Sequence, residues 1–293
     1  MSNPTKGVLF ALFATLLWSV NMVIASGIKD HIPPIGLAFW RWTIACLVLA
    51  PFALKSTIKN FTIVKKHLRY LVFTAVLGIT IFNTLIYIAG KTTSAVNLSL
   101  IAISIPLFIV VISRIIFKET VSNLKIIGIV TIITGVLVLI TKGSLQALLK
   151  INFTIGDLLM LVACFFFAYY TILVRKKPPE LTPKVFLFSV FVIGTLLLFP
   201  FYLCEHLFYK KVVFDTKTIL ITTYVGIFAS LVSFYLWNEA IRLIGTSKTA
   251  LIYYLIPIFS GILAYFFLNQ AIGLIQIISM GIIVSGLLIT NKK

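Results

Sequence analysis

Charge is nearly absent from long stretches of this chain, and that constrains the fold more than any motif. Apolar runs recur at roughly 7–25, 35–54, 70–90, 93–116, 124–141, 156–174, 184–204, 218–242, 247–268 and 272–290. Each is close to the ~20 residues a helix needs to cross the hydrocarbon core of a bilayer. Backbone polar groups cannot go unpaired there, so runs of this length are expected to be helices. Only 11% of the 293 residues are charged and 60% are hydrophobic; the mean hydropathy is +1.13. The expectation is an all-α integral membrane protein of ten transmembrane helices. The first run follows Lys6 and reads as a membrane helix, not a cleaved signal peptide. Val23-Ile24-Ala25 is only a faint cleavage match, and nothing downstream resembles a secreted soluble domain.

The formal net charge of +18 is mostly a topology signal. Counted on alternate sides of the ten runs, 17 Lys and Arg fall on one side and 7 on the other, with Arg41 inside a run. The positive-inside rule then places both termini in the cytoplasm. A cation distribution spread over alternate loops gives no basic face for nucleic acid, so the bilayer and a small solute are the expected partners.

The chain repeats itself. Shifted by 151 residues, Thr93–Thr141 lies over Ile244–Lys292, with Pro106 on Pro257, Gly135 on Gly286, Leu100 on Leu251, Ile101 on Ile252 and Phe108 on Phe259. At an offset of 149, Gly7, Leu9 and Ala14 meet Gly156, Leu158 and Ala163. Two five-helix repeats follow, 1–149 and 150–293. Five is an odd number, so the second copy enters the membrane upside down, a recurrent transporter plan with solute held between the halves. Pro33-Pro34 and Pro178-Pro179 mark corresponding turns before the second helix of each half.

Several residues could carry chemistry. Pro106 and Pro257 remove a backbone bond in the fourth and ninth helices; they read as kinks that flank a central cavity, or as packing kinks alone. Gly128, Gly135, Ser279 and Gly286 put small residues two turns apart on the fifth and tenth helices, a helix-packing face. Arg41 is expensive in lipid and must pair, snorkel, form a gate or meet an anionic solute group. Glu239 and Arg242, three apart, read as an inner gate, as a proton-responsive carboxylate with its partner, or as a solvated helix-end pair. Trp18, Asn21, Asn83, Tyr87, Asn97, Ser104, Tyr170, Trp237, Asn238, Tyr253 and Tyr254 supply polar and aromatic groups to a small-molecule cavity. Taken singly, they are equally interface-belt aromatics and helix-bridging amides.

Other chemistry lacks its residues. Asp157, Glu205 and Glu119 stand at segment ends, which argues against a proton relay. Cys46, Cys164 and Cys204 read as small apolar side chains. His31, His67 and His206 sit in separate loops, without metal-ligand spacing. No phosphate-binding Gly-Lys loop and no nucleophile elbow is present. No catalytic residue, metal or cofactor is expected.

Leu17-Trp18-Ser19, Phe39-Trp40-Arg41-Trp42, Ile105-Pro106 through Phe117-Lys118-Glu119 with Gly128 and Gly135, and Tyr235-Leu236-Trp237-Asn238 followed by Pro257 resemble, in order, the EamA-like branch of the drug/metabolite transporter superfamily. The resemblance covers nearly the whole chain. It implies a ten-helix secondary-active transporter of the bacterial inner membrane, an exporter or exchanger moving a metabolite or drug-like molecule by alternating access, with a monomer sufficient for transport. The competing classes are an intramembrane enzyme and a small-solute channel. Two departures make the halves unequal: Gln270 stands where the family often has a second glutamate, and Val190 aligns with Arg41.

Overall fold

The computed structural model describes residues 3–26, 32–92, 98, 101–102, 104–141, 143–144, 146, 154–268 and 273–291. Among them there is no strand. The helices are α1 (Asn3–Ser26), α2 (Pro34–Lys59), α3 (Leu68–Thr92), α4 (Ser104–Phe117), α5 (Asn123–Thr141), α6 (Ile155–Arg175), α7 (Pro183–Phe208), α8 (Thr216–Ile244), α9 (246–268) and α10 (Leu274–Asn291), with a short helix Phe61–Lys66 before α3. Among the described residues six stretches are long and apolar enough to cross a membrane: α2, α3, α6, α7, α8 and Thr246–Leu263 of α9. Shorter apolar helices lie within α4, α5 and α10.

Local chemistry sets the helix starts. Pro34 and Pro183 occupy the first turns of α2 and α7, where a missing N–H costs nothing. The second-half counterpart of Pro34 is thus Pro183, and Pro178-Pro179 lie in the turn before it. Asp215 Oδ1 accepts from the Thr218 N–H at 2.7 Å and starts α8. The start of α2 is capped from a distance: the Glu205 carboxylate, near the end of α7, accepts from the Ile35 N–H at 3.2 Å and the Gly36 N–H at 2.6 Å. A negative charge at a helix N-terminus satisfies orphan donors and complements the helix dipole.

Irregularities recur at matching places. Pro51 lies inside α2 and Pro200 inside α7. A π-helical segment interrupts α3 at Val76–Ile81 and α8 at Val225–Val232. In α9 the helix tightens to a 3-10 turn over Tyr253–Leu255 and resumes at Ile256, next to Pro257; Pro106 is the third residue of α4. One residue, Gly245 at φ 78, separates α8 from α9, a left-handed conformation that glycine adopts without strain.

The packing repeats as well. α5 lies along α10, α2 along α7, and α4 meets α9. α1 packs on α8 and α9 as α6 packs on α3 and α4, and α2 meets the π segment of α8 as α7 meets α3. Exchanging the halves maps each of these neighbours onto another. The α5–α10 crossing brings backbone against backbone: a methyl group on Gly286 would fall 2.8 Å from the Gly128 carbonyl oxygen and 2.8 Å from the Ile132 nitrogen, and one on Gly128 2.7 Å from the Gly286 carbonyl oxygen. Gly135 faces Ile282 and Ile283 in the same way. Ser279 is fully buried, its hydroxyl turned back to the Ile275 carbonyl at 2.7 Å. Small residues permit this approach where lipid removes the hydrophobic drive between helices. The exterior carries exposed Leu47, Phe52, Ile115, Leu196 and Leu288, as a lipid-facing surface requires.

Candidate functional site

Two clusters occupy the middle of the bundle and share one carbonyl. Arg41 of α2 is 2% exposed and reaches between α3 and α8. Its Nε donates to Ser230 Oγ at 2.7 Å, and Nη1 donates to Asn83 Oδ1 at 2.9 Å and to Tyr87 Oη at 2.6 Å. Nη2 donates to the Ala229 carbonyl at 3.3 Å. Every one of these partners is neutral, and no carboxylate among the described residues pairs with the guanidinium.

The π segments make this reach available. In a π turn the backbone bonds lengthen by one residue, which redirects carbonyls and side chains. The Ser233 N–H goes to the Phe228 carbonyl and passes over Ala229, whose oxygen takes the Trp18 indole N–H at 2.9 Å as well as Arg41. Ser230 and Ser233 donate to carbonyls five residues back, at Val225 and Phe228. On the α3 side Asn83 follows the π segment and turns its amide to the Gly78 carbonyl at 3.4 Å. Arg41 thus ties both interruptions together.

The second cluster is aromatic. Trp18 lies 5.2 Å from Trp237, 5.7 Å from Phe167, 5.8 Å from Phe234 and 6.0 Å from Tyr253 between ring centroids. Tyr170 donates to Asn238 Oδ1 at 3.1 Å, and its ring lies so close to Gly78 that a methyl there would stand 2.2 Å away. In this conformation rings fill the centre. Asn21 is buried one turn beyond Trp18 on α1, and Ser104 is half-buried at the start of α4. Tyr254 is not brought to this group; it packs with Val110, Ile132 and Ile283 towards α5 and α10. Asn97 lies outside the described residues.

At the end of the bundle holding the termini of α4 and α6, the halves are joined by polar contacts. Lys118 takes φ 53 in the left-handed turn that often ends a helix, and Glu119 follows it. The Glu119 carboxylate meets the Arg175 guanidinium and the Ser247 hydroxyl. Arg175 also donates to Thr246 Oγ1 at 3.3 Å and lies 3.9 Å over the Phe117 ring. Buried Ser113 bonds Thr246 at 2.8 Å. Partial burial disfavours the Glu119 anion, but the hydrogen bonds from Ser247 and Arg175 outweigh it and hold the carboxyl below its usual range. A depressed carboxyl contributes stability through neutral and mildly acid pH, which is lost only as pH falls through its folded value. Glu119→Gln is expected to cost about 1 kcal/mol, as for a partly exposed pair. In unfolding-midpoint measurements that deficit should hold steady from about pH 8 to 5 and close below about pH 4.

Beside this latch a cavity of about 430 Å³ is lined by Arg175, Lys177, Tyr235, Asn238, Glu239 and Arg242, with walls from α7. Arg242 donates from Nε and Nη2 to one Glu239 oxygen, at 3.0 and 2.7 Å. Burial pulls the Lys177 ammonium below its ordinary value, and its Nζ donates to the Pro178 and Leu181 carbonyls. Asn238 links the cavity to Tyr170 and the aromatic cluster.

The sequence pointed to Arg41, Asn83, Tyr87 and most of the aromatic group. It missed Ser230, the Ala229 carbonyl and the Glu119–Arg175–Ser247 latch. The one available signal was Glu119 itself, a lone acid in a basic loop.

Comparison with known proteins completes the site's context. The profile of the EamA-like transporter family matches twice, over residues 5–141 and 154–292. The uncharacterized transporter YyaM of Bacillus subtilis is 29% identical over 223 residues, 74% of this chain and 71% of that protein. An uncharacterized transporter of Archaeoglobus fulgidus is 27% identical over 242 residues, 82% of this chain and 81% of its own. A solved crystal structure superposes with a TM-score of 0.81 at 20% identity, covering 98% of this chain and 96% of that one, a likeness of fold.

Proposed function

The chain belongs to the EamA-like transporter family, and from that premise we propose a secondary carrier that moves a small solute across the bacterial inner membrane by alternating access, as an exporter or exchanger. It has ten spans in two inverted five-helix repeats, 1–149 and 150–293, with both termini in the cytoplasm, and one chain suffices for transport. The observation that carries this reading is the self-mapping of the packing: helices, internal prolines and π segments recur in both halves, and α2, α4 and α5 pack on their counterparts α7, α9 and α10. Such a duplicated bundle suits rocking of one half against the other around a midplane site.

In this reading Trp18, Tyr170, Trp237 and Tyr253 with Asn238 form the occluded centre, and Arg41, Asn83 and Tyr87 its polar wall. Asn21 and Ser104 border it. The Glu119–Arg175–Ser247 contacts close the cytoplasmic mouth, and the cavity around Glu239 and Arg242 is the cytoplasmic vestibule. Pro106 and Pro257 flex the two helices that cross, while Gly128, Gly135, Ser279 and Gly286 hold α5 to α10 as a fixed spine. The test is counterflow in liposomes holding the purified protein, screened with a metabolite panel. A carrier gives saturable uptake accelerated by solute on the opposite side. Flux that rises linearly and ignores the opposite side is a channel's, and chemical conversion of the solute is an enzyme's; either sinks the carrier.

A further inference from the structure

A guanidinium buried in a membrane protein is costly unless paired, and its usual partner is a carboxylate. Arg41 has none among the described residues; the Trp42 and Tyr87 ring faces, with centroids 5.1 and 5.9 Å from the guanidinium carbon, favour the cation but bring no opposite charge. Its donors are also in surplus. A guanidinium has five N–H groups and no acceptor. Nε is used by Ser230, the two Nη1 protons by Asn83 and Tyr87, and one Nη2 proton, weakly, by Ala229 at 3.3 Å. One Nη2 proton remains. Tyr87 accepts from Arg41, so its own hydroxyl proton is free to be given, and none of the described residues takes it. Ser230 cannot help, because its proton goes to Val225 at 2.8 Å. Among the described residues the cluster therefore lacks a negative charge and an oxygen that accepts.

We infer that Arg41 and Tyr87 form the subsite for the carboxylate of the transported solute, which is a small organic anion; the inference rests on the carrier reading above. A cation would place like charge beside a buried guanidinium. A neutral solute would leave the charge uncancelled. A phosphate dianion brings more charge and more acceptors than one guanidinium edge and one hydroxyl can meet. A carboxylate has one charge and two oxygens, which match one positive charge and two spare donors. Trp18, which shares the Ala229 carbonyl with Arg41, places the aromatic cluster beside the charge, where the solute's apolar body would lie.

The test uses the purified full chain in detergent and three probes of one shape: benzoate, benzamide and benzylammonium, titrated at constant ionic strength while the thermal unfolding midpoint is followed. Benzoate is expected to raise the midpoint saturably, and the other two to leave it unchanged. Tyr87→Phe keeps the ring and removes one charge-assisted donor, so benzoate should bind about 10-fold more weakly. Arg41→Gln should abolish the response; should that variant fail to fold, Tyr87→Phe carries the test. No saturable benzoate response, an equal response to benzamide, or benzoate binding untouched by Tyr87→Phe overturns the subsite. The two readings fail separately. Benzoate binding without counterflow removes the carrier and leaves the subsite, whereas counterflow of neutral or cationic solutes that survives Arg41→Gln removes the subsite and leaves the carrier.

Discussion

Arg41→Met is expected to give a folded protein that no longer transports. Methionine fills much of the arginine stem and removes a buried charge, which offsets part of what is lost. Two of the abandoned partners keep other bonds: Ala229 retains the Trp18 indole and Ser230 retains Val225. Asn83 Oδ1 and Tyr87 Oη lose their only partner among the described residues; Asn83 is the buried one, and an orphaned buried acceptor costs about 1–3 kcal/mol. Adding Asn83→Leu removes that acceptor, so the double variant should recover most of the lost stability. Counterflow should stay at least ~100-fold down in both, the factor expected when a charged contact of about 3 kcal/mol is lost. Unfolding midpoints and counterflow on the same preparations decide the matter. Transport that returns with stability in the double variant makes Arg41 a strut between α3 and α8.

The largest effect on folding is expected at the α5–α10 crossing. Gly286→Val places branched carbon where even a methyl would sit 2.8 Å from backbone atoms of Gly128 and Ile132. Backbone cannot swing aside as a side-chain tip can, so the helices must separate. Overpacking of this kind costs about 3 kcal/mol or more. The yield of monodisperse protein in detergent should collapse. Gly281→Ala on the same helix is the control: a methyl there meets nothing within 4 Å, and alanine favours the helix by about 1 kcal/mol over glycine. Equal behaviour of the two variants would mean that the crossing is looser than the geometry requires.

The helical spans were legible because a bilayer leaves the backbone little choice. The repeat was legible because prolines and glycines, unlike leucines, resist interchange. Pro34, Pro51 and the first π residue Val76 recur at Pro183, Pro200 and Val225. The π segments themselves left no mark: Val76 to Ile81 reads as ordinary apolar helix. Without them nothing directs Ser230 or the Ala229 carbonyl towards Arg41. The latch was hidden for another reason, since Glu119 meets partners 56 and 128 residues away. Tyr253 and Tyr254 looked interchangeable on a regular helix; the 3-10 turn and the packing around it seat one in the aromatic centre and the other against α5 and α10.

Arg41 has Val190 as its counterpart in the other half, a fully buried apolar residue. A perfect duplication would make the two end states of a rocking bundle equal in energy. In the carrier proposed above, with the buried cation on one half alone, the empty protein would have a resting side, and a solute anion would shift that preference on binding. Equal gradients applied from opposite faces would then drive unequal fluxes, and the molecule would behave as a rectifier.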